Sequence, residues 1–161
     1  MAIRDHRHDE VQVRLAREND REACLAIRRR VFIDEQGVPE SAELDGLDRE
    51  AVSWIARLGD QPIGTARARI LAGSAKAERV AVLPEYRRRG VGEALMLALE
   101  RWAFEEGLGR VALNAQEAAV PFYKRLGYAI RGEPFEEAGI PHRAMAKPTR
   151  ADPPRSASRL E

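Results

Sequence analysis

The stretch VAVLPEYRRRGVGEAL, from Val80 to Leu95, decides the fold. An apolar run ends at Pro84, three arginines follow, and Gly90 and Gly92 precede a run of helix-forming residues. Proline lacks an N–H group and ends a strand, whereas glycine lets the backbone approach a ligand closely. The first N–H groups of a helix are unpaired and carry a partial positive charge. The stretch therefore predicts an anion site, for which phosphate is the natural ligand.

Two well-known phosphate motifs do not fit this stretch. A dinucleotide fingerprint would have a third glycine at position 95, where the chain has leucine, and the Gly-Lys-Ser/Thr of a Walker loop is absent. The pattern is Arg87-x-x-Gly90-x-Gly92. It resembles the (Gln/Arg)-x-x-Gly-x-(Gly/Ala) motif of GNAT-superfamily acetyltransferases, which holds the pyrophosphate of coenzyme A.

The resemblance extends along most of the chain. RVAVLPEYRRRGVGEALM (79–96) is similar to the family's strand, turn and helix, and NAQEAAVPFYKRLGY (114–128) to the strand and helix that follow. RRRVFIDEQGVP (28–39) and GEPFEEAGIPHRAM (132–145) resemble the ElaA-like bacterial branch. The similarity covers about Val11 to Lys147.

The pattern along the chain predicts one α/β domain. Periodic segments follow in the order strand, helix, three strands, helix, strand, helix, two strands. With the resemblance, this implies the GNAT acyl-CoA N-acyltransferase fold, a mixed, largely antiparallel sheet with helices on both faces. We expect the domain to span 11–147, with a mobile N-terminus at 1–10 and a disordered C-terminal tail at 148–161. Asn19 and Glu22 predict a capping box for the first helix.

The net charge and composition of the chain limit the kinds of binding partner that we expect. The net charge of +1 gives no reason to expect nucleic acid, and no run of residues is long and apolar enough for a membrane span. Cys24 is the only cysteine and the N-terminus lacks a secretory h-region, so we expect a cytoplasmic protein.

The acidic stretch with Glu43, Asp45 and Asp48 lacks a full calcium ligand set, so we expect no metal site there. We expect either a solvated loop or a negatively charged surface that attracts a cationic substrate. The arginines at 28–30 predict a mostly solvated helix face.

The resemblance implies a binding site for acetyl-CoA as cosubstrate. The backbone of Ala81 and Val82 would pair with the pantetheine arm, and the N–H groups of 88–93 would hold the pyrophosphate. Asn114 and Gln116 would bond the arm or the substrate, or cap the strand end. The expected binding residues are Ala81, Val82, Arg87, Arg88, Arg89, Gly90, Val91, Gly92, Glu93 and Asn114.

Three residues are candidates for proton transfer. Tyr123 lies at the position of the family's general acid, where a phenol would protonate the leaving thiolate; a packing role in the core is the alternative. Glu78 is the first candidate for the base that deprotonates the amine. Regular alternation along its strand would put residues 78, 80 and 82 on one face. His142 is the second candidate, since histidine as a residue type titrates near neutrality.

These residues imply an N-acetyltransferase that moves an acetyl group from acetyl-CoA to a primary amine by direct attack. The acceptor would be a small molecule or a peptide. A homodimer is also compatible with the resemblance, because dimers are common among similar proteins. Two alternatives stay open. One is a non-catalytic acyl-CoA-binding module. The other is an acyltransferase similar to acyl-homoserine-lactone synthases, which 28–48 also resembles.

Overall fold

A seven-stranded sheet forms the centre of the computed structural model, which describes residues 10–150. The strands follow the order β1-β2-β3-β4-β5-β7-β6, and every neighbouring pair is antiparallel except β4 and β5. They are β1 (Val11–Leu15), β2 (Val52–Leu58), β3 (Gln61–Leu71), β4 (Ser74–Val82), β5 (Arg110–Gln116), β6 (Ala129–Glu137) and β7 (Ile140–Pro148). The expected mixed, largely antiparallel sheet is confirmed.

In the described part of the chain, four α-helices connect or cover the strands. They are α1 (Arg21–Arg28), which continues as a π-helix over Arg29–Glu35, α2 (Glu40–Glu43), α3 (Val91–Glu105) and α4 (Val120–Arg125). Short 3₁₀ turns lie at Glu18–Asp20, Asp48–Glu50, Pro84–Tyr86 and Glu117–Ala119.

The start of α1 differs from the expected capping box at Asn19. The helix begins one residue later, after Asp20, whose carboxylate is 2% exposed. That carboxylate accepts the N–H of Arg17 at 2.8 Å and bonds the guanidinium groups of Arg14 and Arg57. These bonds compensate the burial of the Asp20 carboxylate, so Asp20 lies inside the fold and Asn19 is exposed.

Helices cover both faces of the sheet. On one face α3 buries Leu95, Met96 and Leu99 completely. Gly64 of β3 permits this close packing, because a Cβ there would lie 3.1 Å from Leu95 Cδ1. On the other face Ile27 of α1 belongs to a smaller buried cluster. The two faces of the sheet thus have separate buried clusters, one under α3 and one under α1.

The C-terminal boundary lies slightly beyond the expected one. β7 runs to Pro148, and Thr149 donates its N–H to Gly109 O at 3.1 Å and its hydroxyl to Leu108 O. These two residues are therefore part of the domain. The rest of the expected tail, 151–161, and the N-terminal segment 1–9 lie outside the described residues.

Candidate active site

The sheet opens between its two parallel strands. β4 and β5 pair only from Ser74–Arg110 to Ala77–Leu113. Beyond this point β5 follows β7 as far as the Gln116–His142 pair, while β4 stays with β3. The result is a V-shaped gap at the carboxyl ends of β4 and β5.

A β-bulge in β4 lies where the gap begins. Thr65 of β3 pairs with Ala81, but Arg67, two residues on, pairs with Glu78. Two residues of β4 therefore face one of β3, and Arg79 has a φ of +53°. A bulge of this kind bends its strand and ends regular pairing, which fits its place at the mouth of the gap.

The bulge also reverses the alternation of side chains along β4. Val80 and Val82 pack toward the α3 core, whereas Ala81 belongs to the α1 cluster. Glu78 bonds Arg67, which lies on the α1 face. The expectation that residues 78, 80 and 82 share a face is therefore wrong, because it assumed an unbroken strand.

Backbone groups of β4 differ in their availability to a ligand. Leu83 donates its N–H to Ile63 O at 2.9 Å, and hydrogen-bonded pairs alternate along an antiparallel ladder. The backbone groups of Ala81 accordingly face Thr65, and those of Val82 face the gap. Val82 O accepts a hydrogen bond from the Arg87 side chain at 3.0 Å. Of the two residues expected to pair with the pantetheine arm, only Val82 directs its backbone groups into the gap.

The N-terminus of α3 borders the same gap. Gly90 is the N-cap with a φ of +79°, and no side chain caps the helix. The first helical hydrogen bond runs from Ala94 N–H to Gly90 O at 3.0 Å. The N–H groups of Val91, Gly92 and Glu93 thus precede the helical ladder, and they form a concave row of donors at the positive end of the helix dipole.

The two glycines of the motif, Gly90 and Gly92, are required for different physical reasons. A Cβ on Gly90 would meet nothing within 4 Å, so this position needs glycine for its left-handed backbone and for an open approach. A Cβ on Gly92 would lie 3.1 Å from Phe122 Cζ. Gly92 is therefore needed for the packing of α4 against α3.

The three arginines before Gly90 point in different directions. Arg87 holds Glu35 with both terminal nitrogens at 2.7 Å, and this hydrogen-bonded carboxylate raises the pKa of Arg87. Arg89 lies 5.6 Å over the Tyr86 ring. Arg88 lines the gap, with a φ of +63°. Arg88 is therefore the arginine side chain best placed for an anion bound at Gly90.

A cavity of about 980 Å³ runs through the gap and joins the two faces of the sheet. Its size is at the upper end of ordinary small-molecule sites. Most of the expected site residues line it, including Glu78, Arg87, Gly90, Asn114, Tyr123 and His142. Arg89 is the expected binding residue that does not line it.

Tyr123 combines a core position with a place on the cavity wall. It is 8% exposed, and its ring meets Phe122 and Tyr128 edge-on, at 4.9 Å and 5.7 Å between centroids. Burial raises the pKa of the phenol well above its usual value. Tyr123 therefore keeps its proton at neutral pH and is available as a donor.

Glu78 is part of an ion-pair cluster. Its carboxylate accepts hydrogen bonds from Arg69 Nε at 2.9 Å and from Arg67. Burial alone would raise the pKa of Glu78, but the bonds to Arg69 and Arg67 outweigh it and hold that pKa below its usual value. A carboxylate held in this way is a weak base.

His142 has the better geometry for accepting a proton. It is 7% exposed, stacks on Phe135, and has its Nδ1 2.6 Å from Ile140 O. A carbonyl only accepts, so Nδ1 carries a proton, and Nε2 is the ring nitrogen that can accept one when the imidazole is neutral. Nε2 lies 3.7 Å from the Glu137 carboxylate.

Amide side chains lie along the β5 edge of the gap. Gln116 donates to Gln36 Oε1 at 2.7 Å, and this bond joins β5 to the segment after α1. Asn114 lines the cavity one pleat earlier, on the same face as Gln116. Gln116 thus has a structural partner, and Asn114 is the amide more available to a ligand.

The acidic stretch from the last residue of α2 to the turn before β2 is not a solvated loop. Glu43 is 2% exposed and bonds Arg28 and Arg79. Arg28 is 3% exposed, so the expected solvated face at 28–30 is wrong for this residue.

Two further carboxylates complete the cluster. Asp45 bonds Arg67, and Asp48 bonds both Arg28 and Arg67. Arg67 is 1% exposed. The signal in the sequence was the alternation of arginine with apolar residues in TARARI (65–70), which puts charge inside a strand that must be buried.

Comparisons with known proteins agree with this geometry. The model of the Acetyltransferase (GNAT) family matches residues 18–128. The chain belongs to the GNAT acetyltransferase family. It is 43% identical over 122 residues to the uncharacterized N-acetyltransferase YjcF of Bacillus subtilis, covering 75% of this chain and 87% of YjcF. Family membership supports acyl transfer as the general reaction.

Solved structures of GNAT proteins superpose on most of the chain. Escherichia coli ElaA has a TM-score of 0.74 at 26% identity, covering 86% of this chain and 98% of ElaA. An acyl-CoA N-acyltransferase from Pseudomonas aeruginosa has a TM-score of 0.73 at 26% identity, with the same coverage of both chains. The GNAT fold and the similarity to ElaA expected from the sequence are confirmed.

Neither a metal-binding cluster nor a membrane-spanning helix is present in residues 10–150. No three histidine, cysteine, aspartate or glutamate side chains there converge as a metal site would require. No helix in the same range has the length and apolarity needed to cross a membrane.

Proposed function

We propose that the chain transfers the acetyl group of acetyl-CoA to the primary amine of a small molecule or peptide by direct attack. The observation that carries this proposal is one cavity that joins three parts: unpaired N–H groups at the start of α3, the gap between β4 and β5, and the side chains of Tyr123 and His142. A phosphate site, a channel for an extended arm and two proton carriers are the parts that this reaction needs.

The binding part of the proposal follows from the backbone. The N–H groups of Val91, Gly92 and Glu93 would hold the pyrophosphate, with Arg88 adding charge beside them. Backbone groups around Val82 would pair with the pantetheine arm in the gap, and free N–H groups there would stabilise the oxyanion that forms on the acyl carbonyl. Acetyl-CoA supplies the activated thioester.

The proton steps use the two side chains in roles that suit their surroundings. As the amine nitrogen bonds the acyl carbon, His142 Nε2 would accept the amine proton. As the carbon–sulfur bond breaks, the Tyr123 hydroxyl would protonate the sulfur, and water would return the proton from His142 to Tyr123. The ability of neutral His142 to accept a proton at Nε2 supports it over Glu78, whose carboxylate is occupied by two arginines. Glu78 remains the second candidate for the base.

One acceptor screen tests the proposal. The protein is incubated with acetyl-CoA and a panel of primary amines, and free thiol release is followed with an amine-free control for hydrolysis. We expect release that depends on the amine, together with an acetylated amine in the mass spectrum. Binding of acetyl-CoA without amine-dependent release across the panel would favour a non-catalytic acyl-CoA-binding module.

A further inference from the structure

The acidic stretch on the α1 side of the cavity is neutralised by arginines among residues 10–150. Its three carboxylates and that of Glu78 are each paired with at least one arginine. The carboxylates are Glu43, Asp45, Asp48 and Glu78, and the arginines are Arg28, Arg67, Arg69 and Arg79. The four charges of each sign cancel. The structure therefore does not support the expectation that this acidic stretch attracts a cationic amine.

Lys76 is a cation on this side that has no counter-charge among residues 10–150. It lies on β4, on the same face as Glu78 and about 6.6 Å from it along the strand. Lys76 lines the cavity, and it makes no ion pair or hydrogen bond with any residue from 10 to 150.

Donors surround this position. Arg69, the cross-strand partner of Lys76, binds Glu78 through Nε and NH2 and leaves NH1 without a bond to a described residue. Asn114 lines the cavity on the neighbouring strand. Lysine, arginine and an amide thus present N–H groups to one region beside the gap.

We propose that the acceptor carries a carboxylate besides its amine, and that Lys76 binds this carboxylate. The inference rests on the proposed acetyl transfer and names its substrate class: short peptides with a free C-terminus. By strand register Lys76 lies four residues, about 13 Å, from the level of His142, so a single α-amino acid is too short to reach both. A charge-assisted hydrogen bond to a carboxylate offsets the loss of water around the ammonium group when an acceptor fills the cavity. A polyamine or aminoglycoside would bring further positive charge against Lys76 and Arg69, which is unfavourable.

Matched peptides test this inference. Di- and tripeptides with a free C-terminus are compared with the same peptides as C-terminal amides, so that the amine is constant. We expect kcat/KM for the free acids to be at least tenfold higher. Lys76→Met, which keeps a long unbranched chain, should reduce this ratio to about one without changing CoA affinity. Lys124→Met, at an exposed lysine that does not line the cavity, should keep the wild-type ratio.

A binding measurement separates this inference from the proposed function. In the presence of CoA, calorimetry compares the N-acetylated peptide acid with its amide, and tighter binding of the acid in wild-type protein but not in Lys76→Met supports the carboxylate site even without turnover. Equal binding or equal kcat/KM for acid and amide would overturn it, as would a preference that survives in Lys76→Met. Equally efficient acetylation of amides or polyamines would leave acetyl transfer intact and overturn only the acceptor class.

Discussion

Valine substitutions at the two ends of α3 separate the role of the proposed phosphate site from backbone strain. Gly90 precedes the helix with a φ of +79°, and Gly107 follows it with a φ of +75°. At neither position would a Cβ meet an atom within 4 Å. Gly90→Val and Gly107→Val therefore impose similar strain, but only the first puts a side chain beside the free N–H groups of Val91 and Gly92.

The expected magnitudes follow from this difference. A non-glycine residue in the left-handed region costs about 1–2 kcal/mol, which lowers the Tm of a domain of this size by about 2–8 °C. We expect that loss in both variants. Each hydrogen bond to a charged group contributes about 1.5–3 kcal/mol. Gly90→Val should lose one or two of them and weaken CoA binding by about 10-fold to 10⁴-fold. Gly107→Val should stay within about threefold of wild type.

The assay is calorimetric titration of CoA into each variant below its Tm, with a melting curve on the same preparation. Wild-type CoA affinity in Gly90→Val would show that the start of α3 is not the phosphate site. Equal weakening in both variants would attribute the effect to stability alone.

Three further changes test the chemistry and the charge cluster. Tyr123→Phe should lower kcat and kcat/KM together by about 10²–10⁴-fold and leave acetyl-CoA affinity nearly unchanged; a lower Tm with normal kcat would assign Tyr123 to packing alone. His142→Gln should lower kcat by a similar factor, and an unchanged kcat would return the role of base to Glu78 or water. Bonds from Arg67 hold the pKa of Asp45 in the folded protein well below its usual value. The ionised Asp45 therefore stabilises the fold fully above the unfolded-state pKa of about 3.9, and this stabilisation is lost as the pH falls through the folded-state pKa. In urea unfolding, Asp45→Asn should be less stable than wild type at pH 7 and approach it below about pH 4, whereas the exposed Asp60→Asn should follow wild type throughout; a constant gap for Asp45→Asn would contradict the ion-pair assignment.

The fold, and the open start of α3 that we propose as the phosphate site, could be predicted from the sequence because their signals are local. A strand ended by Pro84, the glycines at 90 and 92, and the helix after them are adjacent in the chain. The bulge at Arg79 was hidden because an arginine, not a glycine, has the positive φ there. A regular strand was therefore assumed, and Glu78 was assigned to the wrong face.

The arginine–carboxylate cluster escaped prediction for a different reason. Its members come from α1, the α2 region and strands β3 and β4, so the pairing exists only in the folded chain. Arg28 and Glu43, for example, are 15 residues apart in the sequence, yet they form a buried pair. A run of arginines and a run of acids each look solvated until their partners are known. The same limit applied to Lys76, because its lack of a partner within the described part of the chain can be recognised only when the neighbouring charges are known to be paired.

A crystal structure with bound CoA would show directly whether this cavity is the acetyl-transfer site. We expect the pyrophosphate on the N–H groups of Val91, Gly92 and Glu93, and the pantetheine arm in the gap between β4 and β5. We expect the sulfur within hydrogen-bonding reach of the Tyr123 hydroxyl, at about 3–4 Å for a sulfur acceptor. CoA bound outside the gap, or a sulfur separated from Tyr123 by the width of the cavity, would contradict the assignment of this cavity as the acetyl-transfer site.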